Sequence, residues 1–340
     1  MRHRPENRLP DWRNIASVLE GGCPSRPTLF ELFLNDRLIQ SVSGVNTPPG
    51  NMANHATAAI RANDLLGYDY TILFGSEFAY HTNRIQHAQT VSLNEGFPIF
   101  DRASFDSYAW PDPDQSDYSL LNKAAEALPD GMKLMIWSAD GLLETVIKLL
   151  GYENLCFLLY DDEQLVADVF EKVGKGYLEY FKRCVTHESV MAIVSSDDWG
   201  FNTQTLLSAD TMRKYLFPWQ RAYVKLAHSH GKYAVLHSCG YFEAILDDIL
   251  DMGFDARHSY EDAILPVEAA YERLNGSIAV LGGLDVDFLI RSSEEEIRER
   301  ARKMLALSAK RGGYALGSGN SIADYIPDEH YFAMIDAAFE

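Results

Sequence analysis

The sequence predicts one α/β domain, a closed (β/α)8 TIM barrel spanning residues 26–340, behind a short N-terminal extension over residues 1–25. Three observations carry this. Eight short apolar runs alternate with longer stretches of helical periodicity. Several runs are almost continuously apolar, the pattern of parallel strands covered on both faces. A chain of 340 residues with 47% hydrophobic and 23% charged residues can form one large core, and α/β barrels reach this length as a single domain.

The runs expected as strands are 28–33, 70–74, 134–137, 192–196, 233–237, 255–259, 278–282 and 314–317. Helices are expected between them. Residues 161–180 carry Leu165, Val169, Val173 and Leu178 at helical spacing. Ser208 is placed to cap another helix, and 243–250 and 294–307 complete the set. The last has an acidic first turn and a basic later part, which suits the helix dipole. The stretch 101–119, rich in Asp, Ser, Pro and aromatic residues, is expected to pass over the barrel mouth. An open doubly wound sheet is the competing topology. No Gly-x-Gly-x-x-Gly follows the first run, so a dinucleotide fold has little support.

Composition narrows the function classes. The formal net charge of −19 repels nucleic acid and anionic membrane surfaces, and no Lys/Arg cluster offsets it. Four cysteines (Cys23, Cys156, Cys184, Cys239) form no Cys-x-x-Cys pair and no disulfide framework. The N-terminus lacks the apolar segment of a secretory signal, and no apolar run reaches the ~20 residues of a membrane span. A cytoplasmic protein is expected.

Barrel enzymes place their working groups at the C-terminal ends of strands. Those positions here hold Glu77, Asp140, Asp197, Asp198, His237, Cys239, Glu261, Asp285, Ser318 and Asn320. The sharpest signal is His237-Ser238-Cys239-Gly240, at the end of the apolar run Tyr233–Leu236. Side chains two apart on a strand share a face, so an imidazole and a thiol point the same way. They make half of a tetrahedral zinc site. Glu261 could add a third, hard ligand and leave one position open, as in a catalytic zinc site. Read alone, the pair also fits a buried thiol beside a hydrogen-bonded histidine. His258 is an alternate ligand, a partner that orients a ligand, or a structural hydrogen-bonding residue.

Asp197 and Asp198 are adjacent, so they point to opposite sides. One faces the mouth and the other caps a helix or pairs with a cation. Asp198 is the preferred mouth-facing residue, and Gly200 allows a sharp turn after it. Gly312-Gly313 and Gly317-Ser318-Gly319-Asn320 fit either tight packing at barrel closure or close backbone approach to a ligand.

With these segments in view, the chain resembles the uroporphyrinogen decarboxylase superfamily. The resemblance is carried by Leu150-Gly-Tyr-Glu-Asn154, Asp197-Asp-Trp-Gly200, Phe217-Pro-Trp219, His228-Ser-His-Gly-Lys232, His237-Ser-Cys-Gly240, Gly282-Gly-Leu-Asp285, Gly317-Ser-Gly-Asn-Ser321 and Tyr325-Ile-Pro327. It implies a (β/α)8 barrel. The decarboxylase's Arg-rich N-terminal signature is absent, and Arg26-Pro-Thr-Leu-Phe-Glu31 stands in its place. The strand ends are acidic, where a polycarboxylate substrate would call for basic residues.

The resemblance also reaches the zinc-dependent methyltransferases of corrinoid systems. Their thiol-methylating members carry His-x-Cys and a distant Cys, and Asn320 occupies the latter's place here. In the cobalamin-independent methionine synthases a Glu follows about 22 positions beyond the Cys, and Glu261 stands at that offset from Cys239. A related group demethylates phenyl methyl ethers. The resemblance then implies zinc on His237, Cys239 and Glu261, with Asp198 and Glu77 orienting substrate and Asn320 bonding substrate or a zinc-bound water. It further implies a small methylated substrate. The corrinoid (cobalamin) would sit on a partner protein, since no Asp-x-His-x-x-Gly motif occurs in this chain. A metal-free lyase using Asp198, and a barrel that binds ligand or corrinoid without turnover, are the alternatives. The oligomeric state, a homodimer included, stays open.

Overall fold

The computed structural model describes residues 5–6, 8–48, 50–82, 93–138, 140–274 and 276–340. Seven strands form one sheet: β1 (Tyr70–Phe74), β2 (Lys133–Trp137), β3 (Val190–Ser196), β4 (Tyr233–His237), β5 (Ala256–His258), β6 (Ala279–Leu281) and β7 (Tyr314–Ala315). Their order in the sheet is their order in the chain, and every described pair is parallel. Helices lie between successive strands, so each strand is covered on both faces. This explains why Ala192, Ile193 and Val194 in β3 are fully buried in sequence, without polar alternation.

The sheet curls, because its two edges meet one segment. Residues 28–33, expected as the first strand, pair with the β7 side through a parallel bridge between Leu29 and Leu316. Phe30 N donates to Leu316 O at 2.8 Å, and Leu316 N donates to Thr28 O at 2.8 Å. On the β1 side the contact is different. Tyr70 at the start of β1 inserts its hydroxyl, accepting from Glu31 N at 2.7 Å and donating to Glu31 O at 3.0 Å. The segment makes only isolated bridges, Leu29 with Leu316 and Leu34 with Ile322, so the described sheet has seven strands where eight were expected.

The helical expectations fare well where caps were visible. Residues Glu163–Val185 form one helix, capped by Asp162, which accepts from Leu165 N. Ser208 accepts from Thr211 N and starts Ala209–Tyr215. Ser293 and Glu296 make a reciprocal capping box on Glu294–Ser308. The stretch expected at 243–250 is a 3-10 turn, Glu243–Ile245, followed by the helix Leu246–Met252. The region 101–119 holds only the short helix Arg102–Ser107 and the 3-10 turn Pro113–Gln115 before Ser119–Ala127 begins. Within the expected N-terminal extension, residues 1–4 and 7 lie outside the described residues. Its helix Arg13–Leu19 buries Ile15 and Val18 in the common core. Among the described residues no helix is long and apolar enough to cross a membrane.

Candidate metal centre

Strand register decides which side chains share the inward face. His237 pairs with Ser196 on one side and with His258 on the other. Registered partners of parallel strands face the same way, so the two imidazoles meet at the C-terminal end of the sheet. Their Nδ1 atoms lie 2.8 Å apart. Cys239, two residues beyond His237, places Sγ 3.5 Å from His237 Nε2. Asn320 Nδ2 donates to the same sulfur at 3.3 Å, and the sulfur lies 3.7 Å from Ser259 Oγ.

The third donor beside this pair is Asp198. Ligand atoms of Asp198, His237 and Cys239 all lie within 4.8 Å of one another. Asp198 Oδ1 also accepts from Cys239 N at 2.9 Å, which fixes the carboxylate beside the thiol. Glu261 stands outside that cluster, with Oε1 accepting from Gly240 N at 3.4 Å. It lines a cavity of about 300 Å³ together with Asn320, Asp285 and Tyr325. Glu77 is exposed and lines a different cavity, with Ser76, Asp117 and Lys123.

The two adjacent acids do divide between capping and mouth. Asp197 is fully buried and accepts from Leu143 N at 3.0 Å and Glu144 N at 3.1 Å, so it closes the first turn of the helix Leu142–Leu150. Burial raises its carboxyl to about 7 despite those donors. Burial, then the charges of Asp197 and Asp198, raise Glu144 to about 8. Asp140 is occupied by an ion pair with Lys148. Asp285 caps Val286–Arg291 through Phe288 N and also accepts from Asp262 N.

Two groups that sequence reasoning did not single out complete the site. Glu31 is buried, and its carboxyl is pushed up to about 8 by burial, with Ser318 hydrogen bonds opposing the shift. Ser318 donates its hydroxyl to one Glu31 oxygen and its amide to the other at 3.2 Å. Arg257 is also buried, and among the described residues its hydrogen bonds go to backbone carbonyls. It donates to Ser259 O at 2.6 Å and Ser238 O at 3.0 Å and packs against Phe242 and Tyr260. Neither was visible locally. Glu31 lies 287 positions from Ser318, and nothing in the Arg257 run marks it as a clamp on two loops.

Gly312 and Gly317 allow close packing, and Gly319 lines the cavity with Glu261 and Asn320. A Cβ at Gly317 would lie 1.6 Å from Phe30 O, and one at Gly312 would lie 2.4 Å from Gly22.

Does this donor set suit a divalent cation? Burial, then the Asp198 charge, push the Cys239 thiol up, so its anion lacks a compensating charge. Burial, then Arg257, lower His237 to about 3, which keeps the imidazole neutral. One neutral nitrogen, one sulfur and one carboxylate oxygen gathered within 4.8 Å match the N/S/O preferences of zinc.

Comparisons with known proteins agree with the fold. The family model described as uroporphyrinogen decarboxylase (URO-D) matches residues 94–340. Two sequence relatives are the uroporphyrinogen decarboxylases of Methylococcus capsulatus and Alkalilimnicola ehrlichii. The first is 26% identical over 190 residues, covering 54% of this chain and 51% of the relative. The second is 26% identical over 197 residues, covering 56% and 50%. The chain thus spans about half the length of these relatives. Among solved structures, a methyltransferase from Methanosarcina mazei superposes with a TM-score of 0.73 at 19% identity, covering 96% of this chain and 97% of that one. That likeness shows a shared fold across nearly the whole chain. Together with the family match over residues 94–340, it means that the chain belongs to the uroporphyrinogen decarboxylase family.

Proposed function

We propose that this protein is a zinc-dependent methyltransferase of a corrinoid system, built on a closed (β/α)8 barrel. It takes a methyl group from a methoxylated or otherwise methylated small molecule and passes it to a separate corrinoid protein. The observation that carries the reading is the grouping of Asp198, His237 and Cys239 within 4.8 Å. The Methanosarcina mazei structure with the same fold is named a methyltransferase, which supports the same direction.

In this reading His237 and Cys239 supply nitrogen and sulfur. The distances favour Asp198 as the oxygen donor, and Glu261, the residue suggested by its spacing, competes for that place. When bound, zinc would supply positive charge to a coordinated heteroatom, so that the heteroatom leaves more readily as an anion. The chain's own groups prepare that event. The Asn320 amide donates to Cys239 and stabilises negative charge on sulfur. A substrate oxygen in the Glu261–Asn320 cavity can take the same donor. Glu77 acts only on the part of a substrate that reaches its own cavity.

Metal analysis tests this directly. The purified chain, loaded and desalted, should hold about one zinc per chain, and His237→Ala should lose it. Less than about 0.2 zinc per chain, unchanged by His237→Ala, rejects the reading.

Metal-free decarboxylation is the second reading, favoured by the names of both sequence relatives. The acids at the mouth, Asp198 and Glu261, weigh against a polycarboxylate substrate. Release of carbon dioxide from a carboxylated tetrapyrrole in the presence of chelator would establish it.

A further inference from the structure

We propose that His258 is a positioning residue that fixes the tautomer of His237, leaving the lone pair of His237 on Nε2, the nitrogen beside Cys239. The tautomer follows from geometry alone, and its use for a metal rests on the zinc reading above.

Hydrogen-bond bookkeeping gives the order of protons. His258 Nε2 lies 3.1 Å from Ser318 O. A carbonyl oxygen only accepts, so this nitrogen carries the proton. The two Nδ1 atoms, 2.8 Å apart, need one proton between them. His258 is fully buried, with the Phe30 ring edge-on at 5.1 Å and the Arg257 cation as its sequence neighbour. No described carboxylate contacts its ring, so a second proton there would be an unpaired buried charge. His258 is therefore neutral, with its single proton on Nε2 and a lone pair on Nδ1. His237 must donate from Nδ1. Its Nε2 is then unprotonated, with its lone pair 3.5 Å from the Cys239 sulfur. The same lone pair is the one a cation would take.

The loop after β7 holds the far end of this relay. Ser318 is tied to buried Glu31 through both its hydroxyl and its amide. Its carbonyl accepts from Gly283 N at 2.8 Å as well as from His258. Gly282 has φ +65°, and a Cβ there would lie 2.2 Å from Ser318 O and 3.1 Å from the His258 ring, so glycine keeps the carbonyl–imidazole contact open.

Long-range proton–nitrogen correlation on the 15N-histidine-labelled full chain, without metal, reads the tautomers. The expected result is Nδ1–H for His237 and Nε2–H for His258. A His237 ring protonated on Nε2 overturns the proposal, whether or not any variant folds. Cobalt(II) titration, followed by its thiolate charge-transfer band, adds the functional arm. His258→Phe keeps ring volume but removes the acceptor, and should weaken cobalt(II) binding about 10–100-fold. His258→Asn, with an amide oxygen near the Nδ1 position, should recover most of that loss. Unchanged affinity in a folded His258→Phe overturns the positioning role. Wild-type protein with the expected tautomers but no cobalt(II) band rejects the zinc reading and leaves the tautomer assignment standing.

Discussion

The inward face of the sheet has two halves of opposite character. On the β1–β2 side, Phe74 and Trp137 are registered partners, and Phe33 from the 28–33 segment joins them. The Phe33 and Trp137 centroids are 3.9 Å apart, and those of Phe74 and Trp137 are 5.3 Å apart. On the β4–β5 side the same face carries His237 and His258, followed by Cys239. The aromatic half depends on ring contact, which is insensitive to pH and tolerant of small shifts. The donor half depends on a chain of single hydrogen bonds, in which each proton has one allowed place. The candidate metal ligands therefore sit where positioning is least forgiving.

If that contrast holds, raising the pH should strain the hydrogen-bonded donor half and leave the ring contacts unchanged. Glu31 is the sharpest case. Its folded value is about 8, against an ordinary 4.5. Below 4.5 the carboxyl is neutral folded or unfolded, and its contribution to stability is fully present. As pH rises from 4.5 to 8, the unfolded chain releases the proton that the folded chain keeps, so stability falls, and above 8 the loss levels off. The shift corresponds to roughly 5 kcal/mol as an upper bound. Glu31→Gln has nothing to ionise. Urea denaturation at pH 5 and pH 9 should show the variant gaining several kcal/mol on the wild type at the higher pH. Parallel stability curves for the two proteins would break the contrast.

The adjacent acids sharpen it at smaller scale. Asp197→Ala removes the acceptor for Leu143 N and Glu144 N. It should cost about 1–2 kcal/mol by denaturation, the usual range for a lost helix cap. Asp198→Asn keeps an oxygen for Cys239 N. It should leave stability within about 0.5 kcal/mol and weaken cobalt(II) binding instead. Equal loss of stability in both would mean that the two carboxylates are not functionally separate.

Period-two alternation made part of this legible in the sequence. It put His237 and Cys239 on one face and sent Asp197 and Asp198 opposite ways. What it lacks is the direction each loop takes after its strand. Glu261 has a plausible spacing from Cys239, yet Asp198 is the acid gathered with the pair. Contacts made by closure were equally hidden. Glu31 meets Ser318 because the 28–33 segment lies beside the β7 side, and Ser318 meets His258 two strands away, across 60 positions. The first expected strand is reduced to isolated bridges, Leu29 with Leu316 and Leu34 with Ile322, which an apolar run does not reveal.

The smallest effect is expected in the aromatic half. Trp137 stacks well, but its Nε1 is buried without a hydrogen-bond partner among the described residues. A desolvated, unpaired N–H contributes nothing to stability and can cost about 1–3 kcal/mol. Trp137→Phe deletes that group and keeps a six-membered ring against Phe33 and Phe74, at the expense of some buried area. The two terms oppose each other and should leave stability within about 1 kcal/mol of wild type at both pH 5 and pH 9. Thermal and urea unfolding measure this. A loss above about 2 kcal/mol would mean that the indole N–H is paired in solution, and that the aromatic half, like the donor half, is held by a directed bond.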